Sequence, residues 1–484
     1  MTEPRRPESW LWILGSAILC LLLSPEPLLL DEETHLYIAT YASFERPYDW
    51  SMPFPPFHET GFVFAHPPLF HWWLKMVGDS LFTALPWLIL WWSGVWKLAT
   101  HFETSPRWTF GLMLCSAGVV MPLTRTMMPD LMVSALGLYA VSLYLTTENE
   151  QTPKIIWSGV LLGLAMWTKY PAIILLFLPM LLEKNETKLV YFTLSAINVL
   201  LLGELWVFLE YDQWHLLTVL QESDVVGRGS VGHRVFGIPV RIGLAALPMA
   251  LVGVRRHPFF PIGVIAVGIY LLDFSLGLWL ALGLSSLSLV WKGNRWLVVW
   301  IGLVLLGVVV GHNYTAPRYW LVAMAPLAIL AVKHLQEWTP SHRWGLIGVS
   351  FLLCAVLVYT ERFHADQSVQ LSNTALAELP VGIPKESLSF SGEWTFRSKM
   401  LQEGIKPFDG TQSLVLTAVN SAGWTPHAEE GWTKVTEWVG TEYPLLLSSS
   451  KHSVGWYADT LGVNPIQILS TPTPIERVEL WKRP

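Results

Sequence analysis

Five short stretches of the sequence set ionisable side chains at the edges of apolar runs. Asp31-Glu32 follows the first of these runs. Carboxylates at such a boundary lose solvent and accept a proton more readily; equally, acids there can do no more than mark a helix end and meet water. Ala65-His66-Pro67-Pro68-Leu69 leads into Phe70-His71-Trp72-Trp73. Its prolines stiffen the turn, and His66 could ligate a metal, hold a phosphate or hydrogen-bond a carbonyl. Arg125 and Asp130 share the short loop Arg125-Thr-Met-Met-Pro129-Asp130, where they can pair with each other or face a ligand. Lys169, in Thr168-Lys169-Tyr170-Pro171, breaks a long apolar run at its centre. A lysine at membrane depth costs at least about 2.5 kcal/mol unless compensated, and a hairpin turned by the proline brings it to the outer face. Pro317-Arg318-Tyr319-Trp320 opens a late run, where Arg318 either forks onto a phosphate or snorkels to lipid headgroups.

Together the stretches supply acids, at least three cations and many aromatic rings to one cavity at membrane level. Such a cavity fits a substrate with a phosphate head and a lipid tail. Glycosyl transfer from a polyprenyl-phosphate sugar makes these demands: fixed cations stabilise the phosphate leaving group, and the acceptor hydroxyl needs a base.

The elements that would position these residues follow from composition. The chain has 484 residues, of which 52% are hydrophobic and only 14% charged, with mean hydropathy +0.42. Soluble chains carry about 25% charged residues, so most of this one lies in lipid, and cytosolic, disordered and disulfide-scaffold classes are excluded. A net charge of −6 gives no reason to expect nucleic acid as a partner. Cys20, Cys115 and Cys354 all fall in apolar runs and imply no disulfide framework or metal cluster. The 27 tryptophans fit either interfacial belts or a sugar-stacking surface.

The run from Trp10 to Leu30 reads as a retained first helix with its N-terminus inside, since Arg5 and Arg6 precede it and no cleavage site follows. Residues 31–81 form a long polar, aromatic first loop. Twelve further apolar stretches then give about 13 spans, the last at 344–360; the pairs 156–183 and 258–290 could each be one long helix. Of the 21 Lys and Arg residues before residue 361, 13 fall in the expected inner loops. The eight outer ones (Arg46, Lys75, Arg125, Lys169, Arg228, Arg234, Arg241 and Arg318) breach the usual bias and ask for a job.

Hydropathy collapses after Tyr359. Residues 361–484 read as a small extracytoplasmic α/β domain after the membrane domain 1–360. Ser387–Phe390, Ser413–Val419 and Val478–Trp481 are its predicted strands, and Glu393–Glu403 is a helix that Gly404 can cap.

In this order and spacing, Asp31-Glu32, His66-Pro67-Pro68-Leu69, Met128-Pro129-Asp130, Leu164–Lys169 with Pro171, and Arg318-Tyr319 resemble the GT-C glycosyltransferases of the protein mannosyltransferase and aminoarabinose transferase type. The resemblance covers roughly residues 10–335, and the stretch Ser391–Arg397 looks like the C-terminal domain of bacterial members. It implies a GT-C fold, a bacterial inner-membrane setting and inverting transfer from a polyprenyl-phosphate-linked sugar on the extracytoplasmic side to a lipid, glycan or protein acceptor. Asp31 is then the catalytic base, Glu32 orients it or the acceptor, and Asp130 is a second acid at the site. Lys169, Arg318, Arg125 and His66 hold the lipid phosphate, and Tyr319, His71 and Trp72 contact acceptor or sugar. Two departures matter. His66 stands where the family commonly has a lysine, making phosphate holding there weaker or pH-dependent. Ala65 stands where aminoarabinose transferases have a metal-binding glutamate, so no cofactor is predicted, while His58, His66 and His71 leave a divalent metal open. The alternative is a polyprenyl-lipid flippase or transporter, whose cations escort a lipid phosphate without chemistry; the sequence shows no sign of an internal repeat and adds a folded outer domain, and both count against it.

Overall fold

The computed structural model describes residues 6–24, 32–49, 66–78, 80–222, 231–256, 274–291, 293–312, 315–392, 394–420, 426, 431–449, 454–455 and 465–483. Asp31, His58, Ala65, Arg228, Lys292, Glu393 and the apolar run 258–272 lie outside these residues.

The chain is mainly helical. Its first half runs α1 (Arg6–Leu22), α2 (Glu32–Tyr41), α3 (Leu69–Val77), α4 (Leu81–His101), α5 (Pro106–Leu114), α6 (Ala117–Leu123), α7 (Pro129–Thr146) and α8 (Thr152–Thr168). A 3-10 turn, Tyr170–Leu176, leads into α9 (Phe177–Leu182), α10 (Glu186–Tyr211) and α11 (His215–Glu222). Then follow α12 (Val231–Ala245), α13 (Leu247–Arg256), α14 (Phe274–Ser288), α15 (Arg295–Gly311), the turn Pro317–Trp320, α16 (Leu321–Leu335) and α17 (Pro340–Ala377).

Among the described residues four helical stretches are long and apolar enough to cross a membrane: Pro129–Thr146, Glu186–Tyr211, Pro317–Leu335 and Pro340–Ala377. Arg234–Ala245 and Leu247–Arg256, bent by 95°, make a fifth if they count as one span. Other expected spans appear as shorter or broken helices. The run 108–122 is divided between α5 and α6, and 156–183 breaks at Lys169, so it is not one long helix.

Two helices in the centre approach closely because glycines face the contact. A Cβ on Gly159 would lie 2.3 Å from the Phe192 carbonyl oxygen, and one on Gly163 would lie 2.7 Å from that of Ala196. The Gly-x-x-x-Gly spacing thus lets α8 lie against α10.

Asp130 opens α7, Lys169 follows α8 and Arg318 precedes α16, so these helix ends share one side. Ser24 joins them by donating to the Thr124 carbonyl at 2.9 Å. Trp10, Trp157, Trp291 and Trp344 are exposed near the opposite helix ends, as an interfacial belt requires. Trp91, Trp92, Trp300 and Trp320 are fully buried instead, so part of the tryptophan surplus is core. The three cysteines are buried and free.

At residue 361, where hydropathy falls, α17 continues unbroken to Ala377. Beyond it a five-stranded sheet has the order β2-β1-β3-β9-β4. Its strands are β1 (Ser389–Ser391), β2 (Lys406–Pro407), β3 (Leu414–Ala418), β4 (Thr433–Val439) and β9 (Arg477–Lys482). Between the last two come β5 (Glu442–Leu446), β6 (Ser448–Ser449), β7 (Val454–Gly455) and β8 (Gln467–Pro474). Helix α18 (Trp394–Gln402) connects β1 to β2 and buries Phe396 and Met400 against the sheet. Gly404 ends it at φ +75°, a left-handed conformation that glycine adopts without strain.

Candidate functional site

Lys169 stands in an extended residue (φ −159°, ψ 117°) between α8 and the following 3-10 turn. Pro171 cannot continue the helical ladder, and the break points the ammonium back across the bundle. Its Nζ donates to Asp130 Oδ1 at 2.8 Å. Arg318, in the turn ahead of α16, brings Nε to 3.8 Å from Asp130 Oδ2. Both cations lie beside the ring of Tyr319: Lys169 Nζ is 5.0 Å and Arg318 Cζ 5.2 Å from its centroid. His312, at the end of α15, stacks on the same ring with centroids 3.8 Å apart.

These groups form the polar end of a cavity that opens to solvent. Ile174, Leu175, Val304, Val308 and Val322 line its apolar end. The lining therefore pairs two cations and a carboxylate with a hydrocarbon wall.

Glu32 and Arg125 form a second cluster outside this lining. Arg125 Nη1 is 3.7 Å from Glu32 Oε2, and its Nη2 forms a salt bridge with Glu361 of α17. Glu32 Oε1 also accepts from the Met127 backbone N–H at 3.1 Å. All three side chains are buried. The pairing of Arg125 with Asp130 that their shared loop suggested does not form; α7 turns Asp130 toward Lys169 instead.

A third cluster holds His66 and His71 with His35, which the sequence did not single out. His35 Nδ1 and His71 Nε2 are 3.1 Å apart, and the rings of His35 and His66 stack at 5.6 Å. Burial pushes all three below the ordinary histidine range, His71 to about 3. Charge from Lys169 adds to the effect on His35 and His66. These histidines are neutral at pH 7, so His66 brings no positive charge to a phosphate. Trp72 is not among the residues lining the cavity; it packs edge-on against Trp167 and Trp206, 5.4 and 5.1 Å away.

Among the described residues no group of three His, Cys, Asp or Glu side chains is arranged to hold a metal ion.

The other basic residues expected on the outer side also have partners. Arg46 pairs with Asp49 at 2.8 Å, Lys75 donates to the Ala42 carbonyl at 2.6 Å, and Arg234 donates to that of His312 at 2.5 Å. The sheet region reaches this side as well: Arg397 of α18 donates to Thr34 Oγ1 in α2 at 3.4 Å.

The helical arrangement is similar to that of solved transferases. ArnT from Cupriavidus metallidurans bound to undecaprenyl phosphate matches at 10% identity and TM-score 0.48, over 86% of this chain and 94% of that one. The archaeal oligosaccharyltransferase AglB from Archaeoglobus fulgidus, in complex with an inhibitory peptide and a dolichol-phosphate, matches at 9% identity and TM-score 0.41. That match covers 84% of this chain and 69% of the other. No protein-family model and no curated protein matches the sequence. Both TM-scores lie below 0.5, so the functional reading rests on the side chains.

Proposed function

We propose that this chain is a membrane glycosyltransferase of the GT-C kind, inverting, with a polyprenyl-phosphate-linked sugar as donor. The observation that carries the reading is the two-ended cavity: Lys169 and Arg318 at its polar end, an apolar wall at the other. A phosphate head fits the first and an isoprenoid tail the second.

On this reading the donor phosphate displaces Asp130 from Lys169 and Arg318, each of which then holds phosphate oxygens. The acceptor hydroxyl attacks the anomeric carbon, Asp31 takes its proton, and polyprenyl phosphate leaves with the bonding pair of the broken C–O bond. The two cations stabilise the charge growing on that leaving group. Glu32 is the residue next to the proposed base, and its contacts with Arg125 and the Met127 N–H hold the start of α2. Arg125, engaged by two carboxylates, acts through Glu32 rather than on the phosphate. Residues 361–484 are the extracytoplasmic domain, the N-terminus is cytoplasmic, and the acceptor enters from the aqueous side.

The test is transfer of labelled sugar from polyprenyl phosphate in reconstituted vesicles. Wild type transfers, Asp31→Asn does not, and Lys169→Ala and Arg318→Ala lose donor affinity. Transfer that survives Asp31→Asn removes the base; lipid movement across the vesicle without transfer makes the protein a transporter.

A further inference from the structure

Glu204 is a buried carboxylate in α10, a helix whose Leu201, Leu202, Leu205 and Leu209 are exposed. A charged side chain at such depth is expensive and needs partners. Its Oε1 accepts from the Tyr170 hydroxyl at 2.5 Å, and its Oε2 accepts from the Leu216 backbone N–H at 2.9 Å. The Tyr170 hydroxyl has a single proton. With that proton on Glu204, the hydroxyl accepts from Nδ1–H of His215 at 2.6 Å. His215 in turn stacks on Tyr48 of the first loop, centroids 4.5 Å apart and planes within 15°.

Tyr170, the first residue of the 3-10 turn, follows Lys169, whose backbone is extended. Successive side chains of an extended segment point to opposite sides. Lys169 therefore goes to Asp130 in the cavity while Tyr170 goes to Glu204 behind it. Pro171 supplies no N–H at this break, and the Tyr170 side chain ties it to α10 through Glu204. The neighbouring glycine makes the reach possible: a Cβ on Gly203 would lie 2.3 Å from Trp167 Nε1, so only glycine lets α8 and α10 approach closely enough here.

We infer that Glu204, through Tyr170, is a positioning residue for Lys169: it fixes the break that aims the ammonium at the donor phosphate. The inference rests on the cavity being a polyprenyl-phosphate site. It assigns Glu204 no contact with substrate, and its effect is on affinity for the anionic head.

Binding of undecaprenyl phosphate to the full chain in nanodiscs tests it. Glu204→Ala and Tyr170→Phe each weaken binding about tenfold, the equivalent of one lost charge-assisted hydrogen bond. Glu204→Gln, which keeps an acceptor for Tyr170, recovers most of that loss. In a Lys169→Ala background, Glu204→Ala adds nothing, because the group it aims is gone. Should Glu204→Ala fail to fold, Tyr170→Phe, one hydroxyl smaller, carries the same comparison. Unchanged binding by both variants overturns the inference alone, as does a full additional loss in the Lys169→Ala background. A wild type that does not bind the lipid phosphate overturns the cavity reading, and this one with it.

Discussion

Lys169 donates to Asp130 at 2.8 Å inside the cavity, so the ammonium proposed to hold a phosphate is also bonded to a carboxylate. Arg318 approaches the other oxygen of the same carboxylate. Asp130 thus compensates two buried cations, and on the proposed function a donor phosphate competes with it.

Asp130→Asn removes that compensation. Leaving buried charge without its partner costs about 3–5 kcal/mol, so the variant melts well below wild type. Undecaprenyl phosphate then replaces the missing negative charge and raises its Tm more than it raises that of wild type. Equal lipid-induced shifts in the two proteins would place the phosphate elsewhere.

Arg125 lies between Glu32 and Glu361, carboxylates on α2 and on the helix that continues toward the sheet. Arg125→Ala leaves two buried carboxylates with no cation between them, at a cost of about 3–5 kcal/mol. Adding Glu361→Ala removes one of them and recovers part of that loss. The measurement is a double-mutant cycle in thermal stability. Strictly additive losses would show that Arg125 and Glu361 do not act on each other.

How far the sequence revealed this site depends on how costly each residue looks in its local run. Lys169 stood out because a lysine splits an apolar stretch. Glu204 lies inside the run 189–209 by the same logic, yet that long run outweighed one acid. Glu361 sits where hydropathy falls and resembles a solvent-facing residue; only the fold turns it inward to Arg125. His35 and His312 carry no local mark, since their importance lies in rings brought from distant segments. The three predicted strands and the helix before Gly404 formed with shifted ends. Strand β4 was missed because most of its residues are exposed, so it shows no buried alternation to read. The continuation of α17 past residue 361 was hidden for a related reason: a helix leaving an apolar bundle loses its hydropathy signal before it loses its hydrogen bonds.

The histidine cluster predicts how stability depends on pH. Burial first, with charge from Lys169 and Arg318 on His35, lowers these pKa values in the folded chain. In the unfolded chain they titrate near about 6.5. Below that pH the unfolded state binds more protons, so stability is fully present above it and falls as the pH drops toward 3. Thermal melts between pH 7.5 and pH 5, as rough limits for the buffer series, should show Tm falling with acid, and less steeply in His71→Phe. Donor affinity should not rise over the same range, since His66 stays neutral; a rise would mean that it charges and joins the phosphate site.

Glycine positions in the helices separate two effects that composition cannot distinguish. Gly159→Ala pushes a methyl to 2.3 Å from a backbone oxygen of α10, an atom with no rotamer to yield. Overpacking of that kind costs about 1–3 kcal/mol, and here it also spreads α8 from α10, the helix whose Glu204 pairs with Tyr170 just beyond the end of α8. Gly302 in α15 has nothing within 4 Å of its would-be Cβ. Gly302→Ala should therefore gain about 0.5–1 kcal/mol from helix propensity alone. Melting the two variants side by side checks both signs, and a Gly159→Ala protein as stable as wild type would mean that the two helices are not held in this close contact.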